Sequence, residues 1–197
     1  MKKRLCFLMA VVLFAVLGCA SFLSSSYKGE YLSGSVYKIG ISTISNLQKS
    51  GTITAETRAK VNEKGFIFFN AYQISVDALI TYFTVKDQTS QQMVGTTIAS
   101  MFANWSDLAA LINSIAPNTV PTTYMKIKGT TQYGGAYSVT VKQLDAGTIS
   151  VIIQIGAAII QFVIPEIQNV VNVLGQDSVT LEQIQALKTL IKPPDQY

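Results

Sequence analysis

The chain offers few side chains that could carry a reaction. It has 197 residues, no His, and two Cys, Cys6 and Cys19. Without His it lacks the commonest proton shuttle near neutral pH and the commonest metal ligand. An HExxH zinc site and a Cys–His pair are therefore excluded. The acidic residues are scattered: Glu30, Glu56, Glu63, Asp77, Asp87, Asp107, Asp145, Glu166, Asp177, Glu182 and Asp195. Two of them could meet in space as a glycosidase-type pair, but the spacing nominates no two. Asp77 is the most conspicuous, set in the apolar run ISVDALI. It falls one position off the apolar face of its helix and reads as a flanking charge. Gly134-Gly135 is followed by neither GK[ST] nor a dinucleotide-binding context. The expectation is a protein that is not an enzyme, with no catalytic, cofactor-binding or metal-binding residue. A carboxylate-based hydrolase is the lesser alternative.

One cysteine has a chemical context. Lys2, Lys3 and Arg4 precede an uncharged run at 5–18, LCFLMAVVLFAVLG. Its 14 residues are short for a bilayer span and suit the core of an export signal. The run closes on Val16-Leu17-Gly18-Cys19, where small Gly18 lets a protease approach and Cys19 offers a sulfur. This stretch resembles the lipobox of bacterial lipoproteins, with Val16 as a variant of the usual Leu and Leu17 bulkier than the usual occupant. The resemblance implies cleavage before Cys19, a diacylglycerol thioether on its sulfur, and membrane lipid as a partner. Ala20, in place of Asp, implies passage to the periplasmic face of the outer membrane. A plain signal peptide cut near Ala20 and an uncleaved signal anchor are the alternatives.

Processing before Cys19 would remove three positive charges and leave 12 basic against 11 acidic residues. No basic run then survives to track nucleic-acid phosphates. Residues 19–35, the lipidated Cys followed by ASFLSSSYKGEYLSGS, are rich in Ser, Gly and Tyr and are expected to form a flexible tether.

Residues 36–192 are expected to fold as one helical domain, mainly α, a four- to five-helix bundle. A first helix covers 36–49 and stops at Ser50-Gly51. A second follows Thr54 as N-cap, with Phe69, Tyr72, Val76, Leu79 or Ile80, and Phe83 as its buried face. Glu56 sits four before Lys60, a favourable surface pair. A third carries Val94, Ile98, Met101 or Phe102, Trp105, Leu108, Leu111 or Ile112, and Ile115, stops at Pro117-Asn118, and forms an antiparallel hairpin with the second. A fourth covers 148–174 and includes the uncharged run 149–165, either buried in the bundle or inserted in a membrane. A fifth opens at Thr180, which forms a capping box with Gln183, and ends before a tail at 193–197. The segment LEQIQALKTLIKPPDQY resembles uncharacterised small proteins of prophage regions, a likeness that implies no function.

Between the third and fourth helices, about 117–143, two alternating stretches at 124–128 and 137–142 fit a small β-hairpin insert, with loop as the alternative. Its Tyr124, Lys126, Lys128, Tyr133 and Tyr137 are the candidate interaction surface. The reading as a whole is a lipid-anchored envelope protein acting as a structural or protein-interaction module. Its partner would be a protein or envelope component, and homo-oligomers are open to it. A membrane-active or pore-associated protein using 149–165 is the alternative.

Overall fold

A computed structural model describes the backbone of residues 2–117, 119–120, 127–130, 136–139, 169, 172–173, 176 and 178–197. Side chains are described from residue 22 onward within these, the two strands excepted. Four described helices form the bundle: α1 (Lys2–Lys49), α2 (Ala55–Val85), α3 (Gln88–Ile115) and α4 (Leu181–Leu190). A 3-10 turn at Pro194–Gln196 closes the chain.

Local chemistry sets the helix ends. After α1, Gly51 takes a φ of 75°, a conformation in which a Cβ is costly. Thr54 caps α2 by accepting from Thr57 N–H at 3.1 Å, and Glu56 meets Lys60 at 2.9 Å. Asp87 caps α3 by accepting from Ser90 N–H at 2.7 Å. Only Lys86 and Asp87 separate α2 from α3. Thr180 and Gln183 form the reciprocal box at the start of α4, at 3.3 and 2.8 Å.

The core runs the length of these helices. Phe68 is its hub, with ring centroids 5.0 Å from Tyr37, 6.1 Å from Tyr72 and 5.4 Å from Trp105. Leu79, Ile98, Met101, Leu108, Ile112, Ile184 and Leu187 fill the space around it. Full burial of each such side chain contributes roughly 1.5–3 kcal/mol. The buried line of α3 is the one its spacing predicts. On α2, Tyr72, Val76 and Leu79 are buried as the spacing predicts, but at either end of that line Phe68 and Tyr82 face the core while Phe69 and Phe83 flank it. Helix α2 is also long and apolar enough to cross a membrane by length and composition. Those are equally the properties of a central bundle helix, and Val61, Phe68, Tyr72 and Leu79 point into the core.

Two expectations are corrected. Residues 20–35 are no tether. They belong to α1, which is continuous from Lys2 to Lys49, and Ser26, Tyr27, Glu30, Leu32, Ser33 and Ser35 are buried. A buried serine hydroxyl needs a partner, and here the helix supplies it: Ser33 Oγ donates to the Gly29 carbonyl at 2.7 Å. Small side chains also let the neighbours come close. A Cβ on Gly34 would lie 3.0 Å from Tyr72 Oη and 2.8 Å from Leu190 Cδ2. The second correction concerns the hairpin insert. The fold is a mainly α four-helix bundle, and the described core is built from the four helices and a few residues flanking them. The β pairing among the described residues is a four-residue ladder. Strand β1 (Ile127–Thr130) lies antiparallel to β2 (Ala136–Val139), with Ile127 opposite Val139 and Thr130 opposite Ala136. A pair this short has too few cross-strand contacts to stand as a structural unit. Of the helix expected over 148–174, only residues 169 and 172–173 are described; these are helical, and Val173 is buried.

Candidate functional site

The residues singled out from the sequence fall on separate elements, and several of them lie outside the described residues. Cys19 lies on α1, three positions before the first described side chain, Phe22. Tyr124, Lys126 and Tyr133 lie outside the described residues. Lys128 and Tyr137 are not cross-strand partners, since Lys128 stands opposite Ser138 and Tyr137 opposite Gly129. Asp77 is a flanking charge, ion-paired with Lys188 of α4 and largely exposed. Two Ser-x-x-Lys spacings, Ser25–Lys28 and Ser35–Lys38, also fall on α1. A serine nucleophile needs substrate access, and Ser35 is 1% exposed.

Three other features stand out. The first is the register between α1 and α2, which run antiparallel. Tyr37 stacks on Phe68, Gly34 abuts Tyr72, and Phe22 meets Tyr82 edge-on with centroids 5.2 Å apart. Over the 15 residues from Tyr37 back to Phe22 on α1, the partner on α2 advances by 14, from Phe68 to Tyr82. Three residues beyond the Phe22–Tyr82 contact, the same register brings Cys19 level with Val85 and the Lys86 corner. The apolar stretch 5–18 therefore continues α1 past that end of the bundle.

The second is Glu30, fully buried among the helices. Neither carboxylate oxygen has a hydrogen-bond partner among the described residues. The nearby Ser75 hydroxyl is engaged elsewhere, donating to the Tyr72 carbonyl at 2.9 Å and lying 3.4 Å from Met101 Sδ. Burial drives the Glu30 carboxyl well above its ordinary range, against a smaller opposing pull from the Ser75 hydroxyl. Burial likewise raises the Tyr72 phenol, and Glu30 adds to that. Both shifts favour the neutral form of the group. Tyr72 Oη donates to the Leu187 carbonyl at 3.3 Å, which ties α2 to α4. Inside a low-dielectric bundle this carboxyl can store a proton, and ionising it is costly.

The third is a cavity of about 330 Å³ at the opposite end, lined by Ser45, Arg58, Asn62, Asp195 and Tyr197 among others. Arg58 is 6% exposed and donates to the carbonyls of Ile41 and Pro194. Desolvation lowers its pKa, while Tyr37 and Asp195 oppose that shift. Ser45 Oγ donates to the main-chain oxygen of Tyr197 at 2.6 Å. Asn62 Oδ1 is buried without a partner among the described residues. These groups fasten the last turn of the chain to α1 and α2, and the arrangement pairs no nucleophile with a base. No group of three or more acidic or Cys side chains converges among the described residues.

Glu30 and Arg58 were not legible as special. Local sequence marks neither: Glu30 stands in a Ser-rich stretch and Arg58 in the first turn of a helix. A signal existed for Glu30: positions 26, 30, 33, 37, 41 and 44 repeat at helical spacing, so a small-residue stripe leads into Tyr37, Ile41 and Ile44. Compared with known protein families, curated proteins and solved structures, the chain matches none of them.

Proposed function

We propose that this chain is a lipid-anchored, non-catalytic helical module of the bacterial envelope, held at a membrane through Cys19 and serving a structural or protein-interaction role. One observation carries the reading. A basic cluster, a 14-residue apolar run and Val16-Leu17-Gly18-Cys19 stand directly before the helix whose core-facing side chains begin at Phe22. A module cut before Cys19 keeps every described core residue, so processing and folding are compatible. The absence of a tether makes the arrangement rigid: any acyl chains on Cys19 sit about one helical turn from the bundle core. Two or more such chains hold a protein stably at a bilayer where one does not.

The charged side chains described in the bundle support a non-catalytic role through what they hold. Asp77 pairs with Lys188, Asp107 with Lys64 and Glu56 with Lys60, and Arg58 fastens the end of the chain. The test is metabolic labelling with a clickable palmitate analogue, read with the intact mass of the mature chain. The expected result is label on the native chain, none on Cys19→Ala, and a mature product that starts at an acylated Cys19. An unmodified Cys19, or residues 1–18 still attached, refutes the reading.

A further inference from the structure

We propose that the corner between α2 and α3 is a lipid-contact surface, so that the bundle stands end-on against the bilayer with Val85, Lys86 and Met93 at the headgroup level. This rests on the membrane-anchored reading above and adds to it a specific orientation and a second point of contact.

Placement comes first. The antiparallel register through Tyr37–Phe68, Gly34–Tyr72 and Phe22–Tyr82 brings residue 19 level with residues 85 and 86. Whether the anchor is an acyl chain on Cys19 or the apolar run 5–18 itself, it leaves the bundle at this end. Because α1 is continuous, no loop separates the anchor from the folded body, and the end of the bundle cannot swing away from the surface.

Composition comes second. Val85, the last residue of α2, is 55% exposed, and Met93, in the second turn of α3, is 40% exposed. Between residues 80 and 97 the charged residues are Lys86 and Asp87. Asp87 is turned to its own helix, accepting from Ser90 N–H at 2.7 Å and from Ser90 Oγ at 2.6 Å. Lys86 holds the left-handed cap position at a φ of 55° and sets its ammonium 5.4 Å from the Phe83 ring centroid. An exposed aliphatic, a thioether, an aromatic ring and a cation with no carboxylate partner among the described residues form the set that suits an anionic headgroup layer. Phe66 and Ile67 are also exposed toward the far end of the bundle, but there they stand among charges of both signs, Lys49, Glu56, Lys60, Glu63, Lys64 and Asp107, as on a water-facing surface.

The full chain, reconstituted into phosphatidylcholine vesicles with one quarter phosphatidylglycerol, provides the test. Tryptophan is introduced by Val85→Trp or, as control, Ile67→Trp. These positions lie on one face of α2, 18 residues and so ~27 Å apart along the axis. Trp105, the one native tryptophan, is buried and gives a constant background. Quenching by lipids brominated near the headgroup is expected to be at least threefold greater for Val85→Trp. Adding Lys86→Glu is expected to halve that quenching on these vesicles and to leave it unchanged on phosphatidylcholine alone. Equal quenching at both positions, which means a bundle lying flat, overturns the proposal. So does a chain that floats with the vesicles while Val85→Trp stays unquenched, and in that case the anchored reading survives. A chain that does not float overturns both.

Discussion

Arg58, in the first turns of α2, donates to the carbonyl of Pro194, which follows it by 136 positions, and also to the carbonyl of Ile41 at 3.1 Å. One planar guanidinium thus joins α1, α2 and the closing turn of the chain. A few residues along α2, Gly65 leaves room for the same turn: a Cβ there would meet Pro194 Cβ at 2.9 Å. The last residues of the chain are therefore part of the bundle, packed and hydrogen-bonded on both sides.

Replacing Arg58 should release that turn. Arg58→Ala removes two charge-assisted hydrogen bonds and leaves two carbonyls without their donor, at a cost of about 3 kcal/mol. Arg58→Lys should recover less than half of the loss, because an ammonium cannot fork to both carbonyls as a guanidinium does. Urea unfolding of the three proteins checks this. A lysine variant as stable as the native chain would contradict the bridging role.

Glu30 should make stability depend on pH in an unusual direction. In the unfolded chain it titrates near 4.5, and in the bundle its carboxyl stays protonated to a much higher pH because burial penalises the charge. The folded state therefore holds the extra proton. The stability linked to Glu30 is fully present below about 4.5 and is lost as pH rises from there toward the folded value. Asp87, held below its usual range by the Ser90 hydroxyl and amide, contributes with the opposite sign. The readout is thus the difference between the native chain and Glu30→Gln in melting temperature from pH 4 to 8. The glutamine variant should gain relative stability steadily as pH rises. Glu30→Met, which removes the unpartnered oxygens, should be about 1–3 kcal/mol more stable than the native chain at pH 7. Parallel curves for the native and glutamine proteins would show that Glu30 does not titrate in the folded state.

Gly34→Ala should destabilise the bundle although alanine is the better helix former. The added Cβ would lie 2.8 Å from Leu190 Cδ2, 3.0 Å from Tyr72 Oη and 3.2 Å from Tyr72 Cζ. Leu190 can turn its methyl aside. Tyr72 is fully buried and hydrogen-bonded to the Leu187 carbonyl, so its ring has nowhere to move. Overpacking of about 1–3 kcal/mol outweighs a helix-propensity gain of about 1 kcal/mol. Tyr72→Phe removes the oxygen that clashes, so the double variant should lose less than the two single losses added together. Additive losses would show that the crowding falls elsewhere.

The sequence by itself determined the elements whose signals are local. The Thr54 cap, the Gly51 stop, the Thr180–Gln183 box and the apolar line of α3 from Val94 to Ile112 were all legible, because each depends on residues within a turn or two of one another. Only the tertiary structure decided the fate of 22–35. Read locally, Ser, Gly and Tyr in that proportion signal a linker, since the run has no one-sided apolar face. Packed against α2 and α4, the same residues suit a helix enclosed on several sides: serine hydroxyls return to their own carbonyls, and Gly34 lets Tyr72 and Leu190 close in. Burial of Glu30, the bridging by Arg58 and the register that sets residue 19 level with Val85 are likewise consequences of long-range contact. Each joins residues tens of positions apart or more, and no periodicity within a single helix records which partner its face will meet.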